Sequence, residues 1–103
     1  MAGHGWLIVY RADPKSRTRK NQLIQKLHGQ VTYTRGERYW RRGLLEDLPH
    51  ERVGRGIVLV RERDGPAVIK LLRPLAAEVE WWRVMLRPKD QRVLTKAPAH
   101  PPR

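Results

Sequence analysis

The 103-residue chain contains no cysteine. That single absence excludes a disulfide framework, a thiolate zinc site and a cysteine nucleophile. Acid is scarce too: ten Asp and Glu face 22 Lys and Arg, a formal net charge of +12. No long apolar run occurs either. The longest, residues 6–10, is far below the roughly 20 residues a membrane helix needs, and no basic n-region precedes it. The chain is therefore expected to be cytoplasmic, without a membrane partner. Asparagine occurs once, which with eight prolines and the missing cysteine fits a heat-stable composition. His4, His28, His50 and His100 show no zinc-ligand spacing, and Gly54-Arg55-Gly56 is too short for a phosphate-binding glycine loop. No Ser-His-Asp set can be argued from the order of residues, so neither a metal nor a cofactor is expected.

What is present is a globular mixture, 40% apolar and 31% charged, of a length that normally makes one domain. Residues 1–94 form that domain, its first five residues expected as a disordered leader. Residues 95–103 (TKAPAHPPR) have too few apolar groups to fold alone and read as a disordered, Pro-rich basic tail. The positive charge is concentrated. Residues 11–42 hold ten Lys and Arg against only Asp13 and Glu37, so +8 of the +12 lies in under a third of the chain. Sixteen of the 22 basic residues are arginine, whose planar fork grips phosphate in two places and stacks on bases.

Periodicity organises these charges. Residues 5–11 (GWLIVYR) and 57–60 (IVLV) are continuous apolar runs, the pattern of strands buried on both faces. Ser16 can cap a helix running to residue 28, with Gly29 as its stop. Residues 30–34 (QVTYT) alternate as a strand with one wet face, and Gly36 can turn the chain so that residues 38–42 (RYWRR) return as an antiparallel arm. Leu44, Leu45 and Leu48 fit one helical turn, and residues 50–56 read as loop. Asp64 and Pro66 open a second helix, and residues 78–86 (EVEWWRVML) have the mixed polarity of an edge strand. A short turn of helix is expected over residues 90–94. The order β-α-β-β-α-β, with the two apolar runs as first and third strands, predicts an α+β, ferredoxin-like sandwich: a four-stranded antiparallel sheet, two helices on one face, and a basic hairpin between the second and third strands.

Two basic clusters are the candidate site. In the hairpin, Arg35, Arg38, Arg41 and Arg42 are placed to meet phosphates, while Tyr39 or Trp40 stacks on a base. At the first turn of the first helix, Lys15, Arg17, Arg19 and Lys20 oppose the helix macrodipole and repel one another, each costing about 0.3–1 kcal/mol unless a counter-charge arrives. Few acids lie nearby, so an external polyanion is the expected partner. Tail and composition together resemble the style of small ribosomal proteins, whose extended basic arms thread into RNA. Asp13, just after the first strand, resembles in placement an acid of the ferredoxin-like CRISPR adaptation proteins. That resemblance implies metal-dependent nuclease chemistry, although here Arg11 stands directly after Tyr10, where the acid belongs. Weighed together, these features predict a non-catalytic RNA-binding protein, ribosomal or ribosome-associated, with a DNA-binding, chromatin-like protein as the alternative. The edge strand at 78–86 also offers a homodimer contact by strand pairing.

Overall fold

The two uninterrupted apolar runs lie side by side. In the computed structural model, which describes residues 3–95, the chain forms β1 (His4–Ala12), α1 (Arg17–His28), β2 (Gly29–Thr34), β3 (Glu37–Arg42), β4 (His50–Gly54), β5 (Ile57–Arg61), α2 (Gly65–Leu72), β6 (Ala76–Met85) and α3 (Pro88–Thr95). Four strands make one antiparallel sheet in the order β4-β5-β1-β6, and β2 with β3 makes a separate two-stranded ribbon. The runs expected in the middle, β1 and β5, are central, and β6 is an edge.

Register decides which side chains meet the helices. Ile8 stands opposite Val58 on one neighbour and Trp81 on the other, while Trp6 stands opposite Val60. Cross-strand partners share a face, so this side of the sheet closes over Leu23 and Leu27 of α1 and Val68, Ile69 and Leu72 of α2. Ile8, Leu27, Val60, Val68 and Leu72 are completely buried. Trp81 belongs to this side as well, stacked on Trp6 at 5.7 Å with the Arg73 guanidinium above it, whereas its neighbour Trp82 points to the other side and is exposed. The third helix packs against β4, where Leu94 is buried outside the main core cluster. It is fastened through half of a capping box: the Asp90 carboxylate accepts the Arg87 backbone N–H and its guanidinium.

Three expectations are corrected. The edge strand beside the second apolar run is not residues 30–34, which pair only with β3; it is β4, read from the sequence as loop. The segment HERVG has no apolar alternation, and its pairing carries a bulge between Arg52 and Gly54. It forms a strand because the outer N–H and C=O groups of β5 otherwise lack partners. Second, His4 and Gly5 belong to β1 rather than to a leader. Third, Asp64 does not cap α2 with its side chain: its carboxylate holds Arg61 at 2.6 Å, although Pro66 does sit in the first turn. Of the tail expected at 95–103, Thr95 is instead the last residue of α3, and residues 96–103 lie outside the described residues.

The ribbon departs directly from α1. The Ser16 hydroxyl accepts the Arg19 N–H at 3.2 Å to start the helix, and Gly29 ends it at φ 101°, a conformation that side chains rarely adopt, so that β2 begins without a loop. At the return of β3, Gly43 passes so close that a Cβ there would stand 2.4 Å from the Gly29 nitrogen and the Leu27 carbonyl oxygen. These two glycines let the ribbon's two ends touch. At its far end Arg35 and Gly36, both with positive φ (55° and 81°), connect β2 to β3 in the manner of a type I′ turn.

Candidate nucleic-acid interface

The helix-start cluster is exposed as expected. Lys15, Arg17, Arg19 and Lys20 lie on the surface, and the first turn of α1 contains no acid to balance them. The nearest carboxylate, Asp13, accepts the Lys15 backbone N–H at 2.9 Å, an Asx-type turn that leads the chain from β1 into the helix.

The hairpin cluster is divided by the pleat. Val31 pairs with Trp40, Tyr33 with Arg38 and Gly29 with Arg42, so these residues share one face; Gln30 with Arg41 and Thr32 with Tyr39 make the other. Tyr33 is 72% exposed beside Arg38, a flat ring next to a guanidinium. It is the most open aromatic of the ribbon, although the sequence pattern points to Tyr39 and Trp40 for stacking. Trp40 is 53% exposed, with its indole N–H donating to the Glu46 carboxylate at 3.0 and 3.1 Å. Tyr39 donates to Glu37, and that bond raises its phenol pKa. Arg42 differs from the other arginines: its Nη1 lies 3.2 Å from Asp47, in the 3-10 turn Leu44–Asp47, and fastens the ribbon's base. Arg35, Arg38 and Arg41 hold no acid among the described residues.

The two clusters stand at opposite ends of α1, a helix about 18 Å long at 1.5 Å per residue. They do not merge into one patch. Where α1 meets the base of the ribbon lies a groove of about 410 Å³, lined by Gln22, Gln25 and Lys26 of α1 and by Gln30 and Arg41 of the ribbon, and by none of the helix-start cations.

A third basic site, on the sheet side of α1, went unread in the sequence apart from Lys20. The end of β1, the inner edge of α1 and the β4–β5 turn enclose a cleft of about 670 Å³. Its walls include Tyr10, Asp13, Lys20, Ile24, His28, Arg52 and Arg55. Arg11 also borders it, but its guanidinium is bound to Glu78 at 2.7 Å. Burial, with Arg52 and then His50 adding repulsion, lowers the His28 pKa below its usual 6.5. The Tyr10 hydroxyl stands 3.4 Å from His28 Nε2, within hydrogen-bond reach, and burial raises the phenol's pKa against the opposing charge of Arg52. His50 donates from Nδ1 to the Leu48 carbonyl at 2.9 Å, which fixes its tautomer. The sequence signal for this site was Arg55 between two glycines, which is a tight turn once β4 is known to be a strand. Gly56 takes φ 73° there, with its carbonyl accepting the Tyr10 N–H at 2.8 Å.

Most of the acids are engaged away from the two clusters. Glu62 holds Arg83, Asp64 holds Arg61, Asp90 holds Arg87 and Glu78 holds Arg11, while Glu37 and Glu46 serve the hairpin aromatics. Among the described residues no group of three His, Asp or Glu could hold a metal ion, and no helix is long and apolar enough to cross a membrane. Besides Asp13, the sequence offers Glu46, Asp47 and Glu51 as carboxylates for phosphoryl chemistry; Glu46 accepts from Trp40, Asp47 holds Arg42, and Glu51 lies on β4 with one carboxylate oxygen buried and without a hydrogen-bond partner. No protein-family model matches the chain, and neither a curated protein nor a solved structure does.

Proposed function

We propose that this is a non-catalytic RNA-binding protein, a small basic component or associate of a ribonucleoprotein such as the ribosome. One observation carries the reading: apart from Arg42, the cations around the start of α1 and along the hairpin hold no acid among the described residues, while Glu62, Asp64, Glu78 and Asp90 pair with arginines elsewhere. Unmatched positive charge on three neighbouring elements is costly unless a polyanion neutralises it, and release of that polyanion's counterions supplies affinity. The exposed rings of Tyr33, Tyr39 and Trp40 favour unstacked bases, hence RNA loops or single strands over duplex DNA. We also read the main sheet as ferredoxin-like, with the ribbon set between its first helix and its second strand. β6 has a neighbour on one side only, so a second copy could pair along it.

The test is a salt titration of binding to a structured RNA, a single-stranded RNA and a duplex DNA of equal length. A steep fall of affinity with salt and a preference for RNA are expected. A shallow slope for all three sinks the reading, and a duplex preference replaces it with the DNA-binding one. Co-sedimentation of the native protein with ribosomal subunits then identifies the assembly.

A further inference from the structure

The cleft beside α1 differs from the rest of the basic surface in being concave and chemically two-sided. One side is apolar: Pro14, Leu23 and Ile24, the last 43% exposed although it is an isoleucine on a helix. The other is cationic: Lys20 from α1, Arg52 from β4 and Arg55 from the β4–β5 turn, three elements converging without an ion pair among the described residues. Between them stand two polar groups, the Tyr10 hydroxyl and the His28 ring. The one acid at the rim, Asp13, has an oxygen already bound to the Lys15 N–H. A volume of about 670 Å³ is on the scale of a small-molecule site rather than of a backbone track.

We infer that this cleft receives one nucleotide at the end of an RNA strand, with its terminal phosphate monoester among Lys20, Arg52 and Arg55 and its base or ribose against Ile24 and Pro14. This deepens the RNA-binding reading and rests on it. A strand end is favoured over a mid-strand position by charge. A diester carries one negative charge, whereas a monoester carries about two near neutral pH and presents three acceptor oxygens, so three unpaired cations gain more from the end. Arginine supplies two of the three, with the fork geometry suited to phosphate. The turn that presents Arg55 is held in place, because Gly56 packs where a Cβ would stand 2.5 Å from the Tyr10 carbonyl oxygen.

The experiment compares one single-stranded RNA of about ten nucleotides in three forms, 5′-phosphorylated, 3′-phosphorylated and hydroxyl at both ends, by fluorescence anisotropy on the full chain. One phosphorylated form is expected to bind about tenfold tighter than the hydroxyl form, the size of one added charge-assisted hydrogen bond. Arg55→Ala and, separately, Arg52→Ala should bring that ratio to about one, whereas Arg38→Ala with Arg41→Ala should weaken all three probes and keep the ratio. Because Arg55 is an exposed turn residue, its variant remains informative even if Arg52→Ala disturbs β4. Equal binding of the three forms by the unaltered protein overturns the cleft assignment and leaves the RNA-binding reading intact. Absence of binding to any of them overturns both. A ratio that survives in Arg55→Ala and Arg52→Ala places the end-reading group outside this cleft and overturns the assignment as well.

Discussion

Arginine does two different things in the two halves of this molecule. Between β5 and α3 four of the six arginines are structural: Arg61 is tied to Asp64, Arg83 to Glu62 and Arg87 to Asp90, and Arg73 lies over the ring of Trp81, whereas Arg63 and Arg92 hold no acid among the described residues. From the start of α1 to β3 it is unmatched among the described residues except at Arg42, which Asp47 holds. The first arrangement consumes charge within the fold, and the second leaves it on the surface. Net charge alone does not separate the two. What separates them is the neighbourhood, because seven of the ten acids follow residue 46; two of them, Asp64 and Asp90, meet arginines three residues before them, and the fold brings Glu62 and Glu78 onto distant ones.

The contrast can be broken most severely at the ribbon's base. Gly43→Ala places a Cβ against three backbone atoms, none of which can rotate away. A loss of about 2–3 kcal/mol is expected from overpacking, and RNA affinity should fall with it because Arg38 and Arg41 lose their placement. An unchanged urea midpoint would falsify the close approach as the device that fixes the ribbon.

Next in size is a pair of triple variants. Replacing Arg35, Arg38 and Arg41 with Ala should lower the slope of log affinity against log salt by about one for each phosphate no longer neutralised while leaving the melting temperature nearly unchanged. Replacing Arg61, Arg83 and Arg87 should do the reverse, lowering the melting temperature and sparing the slope. If both sets change the slope equally, the division into structural and binding arginines is wrong.

A smaller effect isolates one structural pair. Arg87 holds the Asp90 carboxyl far below its ordinary 3.8, at about 2. Its folded pKa is depressed, so the unfolded chain takes up the proton first as pH falls. The pair's contribution to stability is present above about 3.8 and is lost as pH drops through about 2. Denaturation midpoints between pH 5 and 2 should fall for the native chain and flatten over that window in Asp90→Asn; parallel curves for the two would contradict the assignment.

The smallest lies in the cleft. His28 also has a depressed folded pKa, so stability is fully present above about 6.5 and declines as pH falls below it. His28→Asn should remove that slope without touching the acid limb set by Asp90. NMR titration of the His28 ring gives the independent check, and a pKa at or above 6.5 in the folded protein refutes it.

Much of this was legible in the order of residues, and for local reasons. Continuous apolar runs at 6–10 and 57–60 name the central strands, although burial on both faces holds only for β5, where Val58, Leu59 and Val60 are buried in succession, and not for β1, where only Gly5 and Ile8 are. Ser16 and Gly29 bound the first helix through backbone groups within a few residues, and Gly36 turns the ribbon through a positive φ that glycine adopts without steric cost. The basic excess at 15–42 is likewise a property of composition. Tertiary structure decided the rest. Nothing in HERVG marks a strand; it is one because β5 presents an unpaired edge. Arg11 and Arg83 are paired through acids distant in sequence, Glu78 and Glu62, whereas Arg61 and Arg87 meet acids three residues on. Only that folding gathers Lys20, His28, Arg52 and Arg55, from three elements, around one cleft. Sequence specifies what each short segment can become, because capping, pleating and turning act over a few residues, whereas the site depends on long-range strand pairing.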